Sequence, residues 1–219
     1  SPARADNDAP PTISVSGEGT VSVPPDIAVI DGGVSTEAKT AREASESNNA
    51  AMGKVLLALK AAGLDEKDVQ TSRLSLQPQY AQPTSNRPGV NVVSGYRASN
   101  RVTIRLRDVT KVAATIDTLV SSGANEIGGI NFMVEKASKL LDDARTEAIA
   151  DARRKAEIYA RAAGVTLGLP VSISEEGGGA PAPVAFRKMA GMAASAPIAQ
   201  GEETLRVNVS VTWAIKPAP

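Results

Sequence analysis

The chain has 219 residues, 24 Lys+Arg against 24 Asp+Glu, 42% hydrophobic and 22% charged residues, a globular balance rather than a disordered one. It contains no cysteine and no histidine. This excludes disulfides, thiol nucleophiles, Cys/His zinc sites, imidazole bases and any Ser-His-Asp triad, and the balanced charge sets up no net field for nucleic acid or an anionic membrane.

The opening SPARADNDAPPT is polar and Pro/Ala-rich, so 1–11 read as a disordered leader, suited to a mature chain after signal-peptide removal or to a trimmed chain. Ile13 and Val15 alternate with polar neighbours, Gly17-Glu18-Gly19 predicts a turn, and the alternation resumes at Val21 and Val23. After Pro24-Pro25-Asp26, which mark an edge or bulge, a second strand runs from Ile27 to about Ser35.

A first helix is predicted from about Thr40 to Ala62. Thr40 and Glu43 form a capping box, and Ala44, Ala51, Met52, Val55, Leu56 and Leu59 share one face. Gly63 stops it. A strand at 70–80 carries Leu74 and Leu76, and 81–93 form a Pro/Asn/Gly loop. The next strand, 94–107, points Val102, Ile104 and Leu106 inward and Arg101, Thr103, Arg105 and Arg107 outward. With Arg97, these arginines form a basic stripe. It lacks the interleaved aromatic rings that single-stranded nucleic acid needs, so a solvated or ion-paired face is expected.

Asp108 caps a predicted helix at 109–122, ended by Gly123, and a strand follows at 127–135. The third helix, from about Ser138 to Ala163, carries alanines at 144, 148, 152, 156 and 160. Their four-residue step keeps small side chains near one face, which suits close packing on a sheet. Gly164 ends this helix, and a strand with Val171 and Ile173 follows. Residues 175–201 read as a long Gly/Ala/Pro/Met loop, and Leu205 to Ile215 as a clean period-two strand.

The expected fold class is α+β: antiparallel sheet or sheets with three helices, order β-β-α-β-β-α-β-α-β-β. The stretch 20–135 has the split βαβ order of ferredoxin-like folds. One domain is expected over 12–216, with a tail at 217–219. No run of about 18 apolar residues could span a bilayer as a helix.

Carboxylates are the only acid/base groups near neutral range. Asp142-Asp143 and Glu175-Glu176 are sequence neighbours, so neither pair converges on one substrate atom. Asp65-Glu66 with Asp68 lacks calcium-loop spacing. No phosphate loop and no S-x-x-K motif with supporting partners is present. The reading therefore assigns no catalytic residue, no cofactor and no metal ligand. In the long loop, Val184, Phe186, Arg187, Met189, Met192 and Ile198 are the expected oligomer or partner contacts, because thioethers and mixed apolar groups make an adaptable surface.

The segments ISVSGEGTVSVPPDIAVI, TAREASESNNAAMGKVLLALKAAGL, SGYRASNRVTIRLRD, SSGANEIGGINF and DARRKAEIYARAAG, in this order, resemble the SIMPL domain family over about 12–215. The matching positions are Gly17, Gly19, Pro25, Asp26, Gly95, Tyr96, Asn100, Gly123, Ala124, Asn125, Asp151, Ala152, Lys155, Ala156 and Gly164. The resemblance implies an α+β fold and a periplasmic or outer-membrane-associated protein made with a signal peptide. It further implies a ring-like or channel-like homo-oligomer, a loose link to oxidative-stress tolerance, and no catalytic residues. The leading expectation is a non-enzymatic envelope protein that assembles with itself above a tetramer, without nucleic acid and without a transmembrane helix. The alternatives are an adaptor for an envelope protein partner, and a carboxylate-dependent enzyme or small-ligand binder.

Overall fold

A computed structural model of the chain describes residues 10–86, 89, 91–176 and 198–219. The elements follow the predicted order: β1 (Thr12–Val23), β2 (Ile27–Ala38), α1 (Ala41–Ala61), β3 (Val69–Tyr80), β4 (Val93–Leu106), α2 (Val112–Ser122), β5 (Glu126–Met133), α3 (Ala137–Ala162), β6 (Val165–Glu176) and β7 (Glu203–Pro217). All strand pairs are antiparallel, so the fold is α+β. The chain divides into two compact units. One holds β1, α3, β6 and β7; the other holds β2 to β5 with α1 and α2.

The first unit is a three-stranded sheet, order β1-β7-β6, with α3 packed on one face. Val207, Val209, Val211 and Trp213 alternate along β7 and meet Ala144, Ala148, Ala152 and Ala156 of α3. All eight are buried. The predicted alanine face is therefore an intramolecular seam.

The predicted turn at Gly17-Glu18-Gly19 is not there: β1 runs unbroken through it, in register with β7 from Thr12 opposite Ala214 to Val23 opposite Glu203. The glycines serve the seam instead. A Cβ on Gly17 would lie 2.0 Å from the Ala148 carbonyl oxygen, and one on Gly19 would lie 1.9 Å from that of Ala144. Two glycines two residues apart share a strand face, and alanines four apart share a helix face. This lets the two backbones touch.

The second unit is a four-stranded sheet, order β3-β4-β2-β5. With α1 and α2 it is the split βαβ arrangement expected for 20–135, here spanning β2 to β5. Ile30, Val34, Val102, Ile104, Met52, Val55, Leu59, Val112 and Leu119 fill its core. The Thr40 hydroxyl accepts from the Glu43 N–H at 3.2 Å, as its capping position predicts. Gly123 closes α2 at φ +115°, a conformation that only glycine adopts freely.

Asn48 of α1 is buried in this core, 1% exposed, above the β2–β4 ladder. Its amide donates to the carbonyls of Val34 (2.9 Å) and Ala98 (3.0 Å). β6 starts directly after Gly164 and continues to Glu176, so it takes in the first residues of the predicted loop.

Candidate functional site

The positions that carry the family resemblance do backbone work. Asn125 acts as an extra strand partner for β2. Its Nδ2 donates to the Ser35 carbonyl (2.8 Å), its Oδ1 accepts from the Ser35 N–H (2.7 Å), and its own N–H donates to the Gly33 carbonyl (3.1 Å). Asp26 gives its N–H to Met133 at 3.1 Å, Pro25 is buried and so is Ala124. A Cβ on Gly95 would lie 2.8 Å from the Ala38 carbonyl oxygen. Tyr96 is half-buried beside it, and the Asn100 Oδ1 is buried without a hydrogen-bond partner among the described residues.

Several carboxylates form ion pairs. Asp151 takes Lys155 (2.7 Å), Arg154 (2.8 Å) and the Glu18 N–H (3.0 Å), and the Lys155 bond, followed by the Glu18 N–H and Arg154, holds its carboxyl far below the ordinary range. The Arg145 guanidinium bridges Asp142 and Glu175, both at 2.8 Å, and lowers the Glu175 pKa. Glu176 instead accepts from Ser210 (2.8 Å). Asp65, Glu66 and Asp68 turn to three different cations, Lys67, Lys60 and Arg107. On the sheet face, Arg97 pairs with Glu37 at 2.5 Å and Arg101 with Glu126 at 3.5 Å, so the basic stripe is ion-paired at both positions. Among the described residues no group of three or more acidic side chains gathers as a metal site.

Of the expected loop contacts, Val184, Phe186, Arg187, Met189 and Met192 lie outside the described residues. Ile198 is half-buried and packs against the second unit's own core.

Sheet edges are among the surfaces left for interaction. An edge strand carries a row of unpaired amides and carbonyls that invites another strand. The β1 edge is covered by α3: Asp151 accepts from the Glu18 N–H, Glu147 from the Thr20 N–H (3.4 Å), and Lys155 donates to the Ser16 carbonyl (3.0 Å). Three side chains at four-residue steps thus satisfy one strand edge. Among the described residues, no helix side chains bind the edges of β6 and β3 in this way. Leu169 of β6 is 80% exposed and Ile173 58%, with Val171 between them also exposed. Leu74 of β3 is 70% exposed and Leu76 46%, with Tyr80 exposed beyond them. Leu76 lies opposite buried Ala98 and Leu74 opposite Asn100, which places both on the helix-covered side of the sheet. Next to the start of β3, an open groove of about 510 Å³ is lined by Gly53, Leu56, Leu57, Leu59, Leu64 and Val69.

Sequence reading found both strands but not their exposure. The available signal was proline: Pro78 in β3 and Pro170 in β6 mark edge strands, because proline has no N–H for an inner ladder.

Comparison with known proteins places residues 13–213 within the model of SIMPL, described as a protein of unknown function (DUF541). The match runs through elements of both units. The chain is similar to the 26 kDa periplasmic immunogenic proteins of Brucella melitensis and Brucella abortus, 40% identical over 214 residues, covering 94% of this chain and 86% of theirs. It is also similar to the uncharacterized protein YggE of Edwardsiella ictaluri, 31% identical over 163 residues, covering 74% of this chain and 67% of that protein.

Proposed function

The chain belongs to the SIMPL family, and from that premise we propose that it is a non-enzymatic protein of the bacterial envelope that assembles with its own copies into a closed, ring-like or channel-like homo-oligomer larger than a tetramer. The observation that carries this reading is the pair of edge strands with large exposed apolar side chains: Leu74, Leu76 and Tyr80 on β3, and Leu169, Val171 and Ile173 on β6. Large apolar side chains on an open strand edge mark a joint between chains rather than a solvated surface. A closed assembly above a dimer requires at least two contact surfaces per protomer, and these two edges are candidates for them.

The names of the Brucella relatives support a periplasmic location. Delivery by a signal peptide and attachment at the outer membrane belong to the same proposal. No helix among the described residues is long and apolar enough to cross a membrane. Three paired carboxylates support the non-enzymatic part, since a general acid needs a raised pKa, whereas Asp151, Glu175 and Asp108 are held low, Asp108 by its bonds to Thr110. Any link to oxidative-stress tolerance would run through the assembly, because a chain without cysteine has no thiol with which to scavenge oxidants.

Light scattering on the purified chain tests the reading. A discrete mass above a tetramer is expected; a clean monomer at micromolar concentration overturns it.

A further inference from the structure

The edge of β3 that faces away from β4 has a definite register. Asn125 binds the Ser35 N–H and carbonyl and the Gly33 carbonyl, so these odd residues of β2 face β5. Main-chain groups alternate along an antiparallel ladder. Val34 and Thr36 therefore address β4, where they lie opposite Asn100 and Ala98. Ser99, Arg97 and Arg101 of β4 then turn to β3, opposite Ser75, Gln77 and Arg73. This leaves the N–H and C=O groups of Leu74 and Leu76 pointing away from the sheet. Pro78 has the same parity, and its missing N–H falls on the open side, which independently agrees with the assignment.

The usable edge is short. A register shift between Thr71 and Arg73 closes it on one side and Pro78 on the other. Leu74 and Leu76 are what remains, flanking Ser75 symmetrically.

We propose that β3 pairs with β3 of a second copy, antiparallel, about a two-fold axis through Ser75. This names one joint of the assembly proposed above and rests on that reading. In this register Leu74 lies opposite the partner's Leu76 and Leu76 opposite the partner's Leu74. Each pair exchanges both main-chain bonds, so all four outward N–H groups of the two copies are satisfied. A centre on Leu76 would instead set Leu74 against Pro78 and lose a donor. The four leucines meet on one face. On the other face Arg73 stands opposite the partner's Gln77, so no like charges are opposed. The two strands are self-complementary in hydrogen bonding, shape and charge, which is the requirement of a two-fold joint.

Ser75 faces its own copy across a non-hydrogen-bonded position, where Cα atoms are about 4.5 Å apart, within disulfide reach. The chain has no cysteine, so one introduced thiol gives an unambiguous readout. Under mild oxidation, Ser75→Cys is expected to convert most of the chain into a disulfide-linked dimer. Gln77→Cys is expected to give none, since the two copies of residue 77 would be four residues out of register, about 13 Å apart. Leu74→Lys combined with Leu76→Lys is expected to lower the solution mass while circular dichroism stays unchanged. If the chain assembles by light scattering but Ser75→Cys fails to cross-link, or cross-links no better than Gln77→Cys, the β3 joint is overturned and the assembly reading stands. If the chain is monomeric, both fall.

Discussion

Gly17 lies so close under α3 that a Cβ on it would stand 2.0 Å from the carbonyl oxygen of Ala148. The obstacle is helix backbone, which cannot rotate aside as a side chain can. Gly17→Ala and Gly19→Ala should therefore push α3 off the sheet and cost about 2–3 kcal/mol each, near the upper end for overpacked cores. Urea denaturation checks this, and an unchanged midpoint for either variant would show that the glycines do not set the seam.

The Asp151 clamp on β1 has a pH signature. Its carboxyl is depressed in the folded chain by Lys155, the Glu18 N–H and Arg154. A depressed carboxylate contributes stability that is complete above its unfolded pKa, about 3.9, and lost as pH falls through the folded value. Wild type should therefore exceed Asp151→Asn in thermal midpoint by a constant margin from neutral pH down to about 4, with the margin closing only below that. A margin that already shrinks between pH 7 and 5 would contradict the assignment.

Asn48 holds α1 over the β2–β4 ladder by two bonds from one amide. Asn48→Ala removes both and leaves a small void, which should destabilise the chain by about 2 kcal/mol. Hydrogen exchange should rise along α1 first. Its Oδ1 is buried without a partner among the described residues, so Asn48→Asp, which places charge there, should cost more than Asn48→Ala.

On β6, Leu169→Ser and Ile173→Ser alter exposed side chains, so protomer stability should change by no more than about 0.5 kcal/mol. The mass of the assembly should fall. Stability lost without any change in mass would show that these side chains serve the protomer and not the joint.

The order of ten elements was legible because each has a local cause. Thr40 with Glu43, Gly63, Gly123 and Gly164 mark helix ends, and the alternation from Leu205 to Ile215 needs no partner to be seen. The Gly17-Glu18-Gly19 turn was misread because glycine has two uses, freedom in φ and absence of a Cβ. Only the position of α3, more than a hundred residues later, shows that the second applies. The two sheet edges were hidden for a related reason. Leu74 and Leu76 alternate with polar neighbours like any half-buried strand, and period two reports which side a residue takes, not whether anything lies above it.

Sequence alone thus determined the elements, the class of fold and the exclusion of thiol and imidazole chemistry, since helix stops, alternation and composition are local or additive properties. The tertiary structure alone decided which edge α3 seals with Glu147, Asp151 and Lys155, and which leucines stay in water. These depend on contacts between residues far apart in the chain, and no local pattern encodes which surface a distant helix will cover.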